Sequence, residues 1–169
     1  MTEQTQPISE GQVPLPPQPA VTSDDTTWAV IAHGSAIITI LFGVLTGGIL
    51  CLVGPLVPLV IWLVFRERSR FVARHAAQAT IFQALVLIVA ALAGVVGAVL
   101  VAIAWIASIA LISAVVGICL VPIALLLTIV WLIVAFGLPV AALVHAVYGA
   151  YEVSQGRDFR YWLVGNWVD

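Results

Sequence analysis

The chain has 169 residues, of which 63% are hydrophobic and only 8% charged, with a formal net charge of -2. Soluble domains carry roughly a quarter of their residues as charges, so this composition excludes an ordinary water-soluble fold and marks an integral membrane protein. All six cations are Arg, too few to build the basic surface that nucleic-acid binding needs.

Residues 1–22 contain five Pro and little that is large and apolar, which predicts a disordered or polyproline-like tail, with the boundary of the membrane domain at about residue 27. A positively charged n-region is missing, so the tail does not read as a secretory signal. Ser23-Asp-Asp-Thr-Thr supplies cap-type residues and first-turn acids, a helix start. A first span follows at about 28–46, with Trp28 suited to the headgroup level, and nineteen residues at 1.5 Å each cover about 30 Å of hydrocarbon. Gly47-Gly48 permits a reversal, and a second span at about 49–65 carries Gly54-Pro55 and Pro58, tolerated in lipid where neighbours satisfy the freed carbonyls.

Arg66, Arg68, Arg70 and Arg74 then form a charged island in an almost uncharged chain. Beyond it, residues 69–83 mix Arg70, Arg74, His75, Gln78 and Gln83 with apolar side chains, as expected of a helix that starts along the surface and dives. About seventy nearly uncharged residues follow, long enough for two long spans or three short ones. Short Arg-rich loops stay cytoplasmic. An even number of later crossings returns Arg157 and Arg160 to the side of the island, which favours two spans, at about 76–103 and 122–148. Residues 104–121 between them are expected to be an outer-leaflet turn or an interfacial helix. The expected fold is therefore all-α, a polytopic transmembrane four-helix bundle over residues 27–155 with both termini cytoplasmic, between an N-terminal tail of residues 1–26 and an amphipathic C-terminal tail of residues 156–169. The expected location is the bacterial cytoplasmic membrane, crossed several times.

Small residues recur at the four-residue spacing that lets helix backbones approach in lipid: Gly43 and Gly47; Ala90, Gly94, Ala98 and Ala102; Ala142, Ala146 and Ala150. His33, His75 and His145 are expected at the cytoplasmic leaflet with Gln78 and Gln83, and ionisable groups at membrane depth suggest function. A three-His metal or haem site is the sharp alternative. Hydrogen bonding of each imidazole to a neighbouring helix is the plainer reading, because no pair has the spacing of a helical metal site. Cys51 and Cys119 belong to no zinc-type spacing, so no metal or other cofactor is assigned. The six Arg set topology and can hold anionic lipid headgroups. No phosphate-cradling Gly loop, Gly-x-Ser-x-Gly elbow or His-Glu-x-x-His occurs, and no catalytic residue is assigned.

Four stretches together carry a family resemblance: Trp28-Ala-Val-Ile-Ala-His33; the run from Gly54-Pro55-Leu56 to Trp62-Leu63; Arg74-His75-Ala-Ala-Gln78-Ala-Thr-Ile-Phe82-Gln83; and Gly156-Arg-Asp-Phe-Arg-Tyr161. Over about residues 27–163 the chain resembles a family of small bacterial membrane proteins of unknown function, related to the twenty-kilodalton membrane subunit of the chloroplast inner-envelope import machinery. The resemblance implies four helices, both ends cytoplasmic and no enzyme. The functional expectation is a non-enzymatic membrane protein acting through helix packing, as an accessory subunit beside other membrane proteins or as a homo-oligomer in contact with anionic lipid. A transport or protein-translocation component is the second expectation, suggested by the import-machinery resemblance.

Overall fold

The computed structural model describes residues 20–168, so the expected disordered tail lies largely outside the described residues. Regular structure among the described residues is entirely helical: α1 (Ser23–Gly34), α2 (Ala36–Leu45), α3 (Val53–Phe65), α4 (Arg70–Ala110) and α5 (Val116–Ser154). Helix α1 starts where its cap residues require. The Thr22 hydroxyl accepts from Asp25 N at 3.1 Å and the Asp25 carboxylate accepts from Thr22 N at 3.0 Å, a reciprocal capping box. Helix α2 continues the same rod across Ser35, whose hydroxyl donates back to Ala32 O at 2.7 Å, a bond that bends helices.

Gly47 and Gly48 take positive φ of 61° and 93° and turn the chain back. The reversal is apolar, and most of its amides find partners inside it: Gly48 N on Gly43 O, Cys51 N on Gly48 O, Val53 N on Leu50 O, and Leu50 N on the Thr46 hydroxyl. Backbone in hydrocarbon has to satisfy itself in this way. Helix α3 then packs back on α2 at Gly54, where a Cβ would collide with Thr39.

Ser69 caps α4, which runs for 41 residues, or about 60 Å at 1.5 Å per residue. Helix α5 has 39 residues and contains both Pro122 and Pro139. The connection between them is only a 3-10 turn at Ile112–Ala114 and Val115 with φ of 66°. The expected separate segment over residues 104–121 is thus replaced by longer helices. The polar side chains of its α4 part have partners within the hairpin: Ser108 Oγ donates to Ala104 O at 2.8 Å and Trp105 Nε1 to Thr128 Oγ1 at 3.1 Å. With Trp105 and Ser108 both paired, nothing forces the chain out of helix before Leu111.

Among the described residues, three helical stretches are long and apolar enough to cross a membrane: Ser23–Leu45, Arg70–Ala110 and Val116–Ser154. Helix α3, with 13 residues, covers about 20 Å, against roughly 30 Å of hydrocarbon. Helix α4 is central and packs on α1, α3 and α5. Thr39 of α2 bonds Gln83 of α4, which fixes the relative heights of the two hairpins. From there α2 rises about 9 Å further to Leu45, whereas α4 rises about 40 Å to Ala110. The outer part of the α4–α5 hairpin therefore extends well past α2 and α3, with Leu92, Val95, Val99 and Ile103 exposed.

Candidate functional site

The end of the molecule that holds the Arg residues also holds most of its buried polar side chains: of those among the described residues, only Ser108 lies at the far end. Helix α1 brings His33 in its last turn against His75 in the second turn of α4, and the chain beyond α5 folds back to insert Tyr161 beside them. His33 Nδ1 lies 2.9 Å from the Tyr161 hydroxyl and His33 Nε2 lies 3.2 Å from His75 Nδ1. Both imidazoles are fully buried and Tyr161 is 1% exposed. His75 Nε2 faces Asp158 at 3.7 Å, beyond hydrogen-bond length. That carboxylate favours the proton on Nε2 of His75. The chain of donors then runs one way, from the Tyr161 hydroxyl to His33 Nδ1 and from His33 Nε2–H to His75 Nδ1, a tautomer assignment made from the network.

Aromatic packing holds this chain in place. Phe82 stacks on Tyr161 with centroids 4.1 Å apart and planes 11° apart. Phe159 meets both His33 and Tyr161 edge-on, at 5.5 and 5.0 Å. It reaches that position because Gly149 of α5 offers no Cβ, which would collide with its ring. Burial pushes the Tyr161 hydroxyl above its ordinary pKa, so it remains a neutral donor. Outside, Asp158 pairs with Arg74 and lies 3.6 Å from Arg160 Nε.

The structure brings His33 and His75 together, whereas His145 meets the cluster only through rings, 5.5 Å from Tyr161 and 5.7 Å from Phe159. Among the described residues no group of three or more His, Cys, Asp or Glu is placed to hold a metal ion. Gln83 ties α4 to the first rod, donating to Ser35 Oγ at 2.9 Å and accepting from Thr39 Oγ1 at 3.0 Å. Gln78 is fully buried, and neither end of its amide has a hydrogen-bond partner among the described residues. The Arg residues divide. Arg157 bonds Glu152 twice, at 2.5 and 2.9 Å, which raises its pKa, and Arg74 and Arg160 serve Asp158. Arg66, Arg68 and Arg70 lie exposed around the α3–α4 turn, Arg66 over the Trp62 ring at 5.9 Å.

Of the small residues named for packing, Ala146 is fully buried, Gly47 makes a turn, Gly43 faces Cys51, and Ala98 is exposed. The Gly94 carbonyl accepts from Trp131 Nε1 at 3.2 Å. The closest approaches that tolerate no Cβ are at Gly54, Gly97, Gly117 and Gly149, against Thr39, Trp131, the Ser108 and Leu111 backbone, and Phe159, with a lesser one at Gly165 against Arg160. Sequence reasoning noted Gly54 only as a helix disruptor beside Pro55 and named none of these for close packing, since each depends on a bulky or backbone partner that spacing alone does not name. It also missed Phe159 and Tyr161 as core. The alternation of polar and apolar residues from Asp158 to Tyr161 was the available signal.

Comparison with known proteins places the chain in a family. The model of the magnetosome magnetite crystal formation protein family, MamF/MmsF, matches residues 24–168. No curated protein and no solved structure matches. The expected kinship with the chloroplast import subunit is therefore corrected, because the family that matches nearly the whole chain is a different one.

Proposed function

The chain belongs to the magnetosome magnetite crystal formation family, and on that premise we propose that it is a non-enzymatic, multi-pass component of the magnetosome membrane. In this reading it works by helix packing, as an accessory subunit of a larger membrane assembly or as a homo-oligomer, and takes part in crystal formation through the membrane. The carrying observation is the segregation of its ionisable groups. Asp24, Asp25, Glu67, Glu152, Asp158 and all six Arg lie at the end of the molecule that holds the His33–His75 pair.

With Arg66 to Arg74 and Arg157 to Arg160 on the cytoplasmic side, the two hairpins form a four-helix membrane body with both ends on that side. Their far ends, residues 46–52 and 104–121, then carry no ionisable side chain except the thiols of Cys51 and Cys119. Iron ions are held by carboxylate, imidazole or thiolate groups, and far ends with two separate thiols and neither acid nor imidazole suit a role in the membrane better than one in direct contact with the mineral. The far halves of α4 and α5 also lack the continuous polar face a pore needs, since the Ser108 and Thr128 hydroxyls donate to their own helices. The exposed Arg66, Arg68 and Arg70 suit the phosphates of anionic lipid.

Mild-detergent purification from the native membrane, with identification of what co-migrates, tests the reading. Co-migrating membrane proteins or a particle of several copies are expected. A lone small particle would remove the support for both the subunit and the homo-oligomer.

A further inference from the structure

Beyond α5 the chain has no helix from Arg157 to Tyr161, yet it is not a loose tail. Phe159, Tyr161 and Val164 are buried with Ala29, Phe82 and Val153 in one apolar cluster. Two polar fastenings add to that burial: the Tyr161 hydroxyl on His33 Nδ1 at 2.9 Å and the Asp158 carboxylate on Arg74. The inner fastening is a chain of three groups that all need defined proton positions.

We propose that residues 156–167 form an acid-released latch, held shut by the Tyr161–His33–His75 hydrogen-bond chain while both imidazoles are neutral and freed when the pair takes up protons. This inference is independent of the helix-packing role. In the neutral state each contact has one hydrogen: Tyr161 O–H to His33 Nδ1, and His33 Nε2–H to His75 Nδ1. One added proton puts a hydrogen on His33 Nδ1 as well. The Tyr161 hydroxyl must then accept that bond, and its own hydrogen loses its acceptor inside a site where the residue is 1% exposed. A second proton puts hydrogens on both nitrogens that face each other at 3.2 Å.

The surrounding charges do not offset this. The carboxylate facing the pair, Asp158, already answers the guanidinium groups of Arg74 and Arg160. On α5, His145 contributes a further imidazole beside Tyr161, and Glu152 is taken by Arg157. Release lets the imidazoles and the phenol meet water, where the charged forms are solvated. The shut form thus binds fewer protons than the open one. It is favoured at high pH and lost as pH falls below about 6.5, the ordinary imidazole range.

Hydrogen exchange of the full chain in lipid nanodiscs, corrected for the intrinsic pH dependence of amide exchange, tests the latch. At pH 7.5 the amides of Val164 and Gly165, which bond Tyr161 O, are expected to be protected. At pH 5 their protection should drop by about tenfold or more, the change that one linked proton gives per pH unit. The double variant His33→Gln, His75→Gln should lose that pH dependence. Equal protection at both pH values in the native chain overturns the proposal, and so does the same acid loss in the double variant. Should the double variant fail to keep its helical content, the single variants His33→Gln and His75→Gln decide. Each removes one of the two proton-binding groups, so the acid step should shrink in both, and an undiminished step in both overturns the proposal.

Discussion

Helices α4 and α5 behave as different objects at their two ends. At the charged end they are cross-linked to α1 and to the C-terminal segment by imidazole, phenol, amide and carboxylate groups, and the glycine there admits an aromatic ring. At the far end the same two helices contact each other through Gly97 and Trp131 and a few internal hydrogen bonds, and otherwise show aliphatic side chains to the surroundings. In lipid an aliphatic surface costs nothing to leave unpaired, so only the charged end needs a specific arrangement. Uniqueness of the fold resides there, and the far end supplies length.

Perturbations should therefore separate the two ends. Tyr161→Ala removes the ring stacked on Phe82 and the partner of His33, and is expected to cost about 3 kcal/mol or more, as aromatic truncations in packed cores do. Unfolding of the purified protein in detergent measures it, and a loss under 1 kcal/mol would mean that the segment is only loosely seated. The Tyr161 site also gives a second pH limit. Its phenol is neutral in the fold and its pKa is raised by burial. That contribution is complete below the unfolded pKa of about 10 and declines as pH rises above it. At the far end, Gly97→Ala drives a methyl group into the Trp131 ring and is expected to cost about 1–3 kcal/mol as overpacking, with no change in protection of residues 159–165. Gln83→Leu deletes two bonds to Ser35 and Thr39 and should cost about 1 kcal/mol, the usual size of side-chain hydrogen bonds between membrane helices. The smallest effect is a gain. Val115 is β-branched at φ of 66°, and Val115→Gly should stabilise the α4–α5 turn by a few tenths of a kcal/mol, because relief of strain is partly offset by the entropy of glycine.

The same contrast explains what could be read from sequence. A helix start near Ser23-Asp-Asp and the Gly47-Gly48 reversal were legible, because polar residues and paired glycines in an apolar chain are conspicuous, although the cap itself is Thr22, one residue earlier. The ends of α4 and α5 were not, since an apolar run without a breaker has no visible stop and Pro122 is absorbed inside α5. The latch was hidden for another reason. His33 and Tyr161 are 128 residues apart, and no local pattern predicts that pairing. Family assignment failed for a related cause: it rested on four short motifs, whereas the match over residues 24–168 uses nearly the whole chain.

The most direct test of the account asks whether the two Arg clusters share one side of the membrane. In a background with Cys51→Ser and Cys119→Ser, single thiols introduced by Glu67→Cys or Gln155→Cys can be labelled in sealed, oriented vesicles with a membrane-impermeant reagent. Modification of both from the same side is the predicted result. Modification of the two from opposite sides would contradict the two-hairpin arrangement and the segregation of charge on which the proposed function rests.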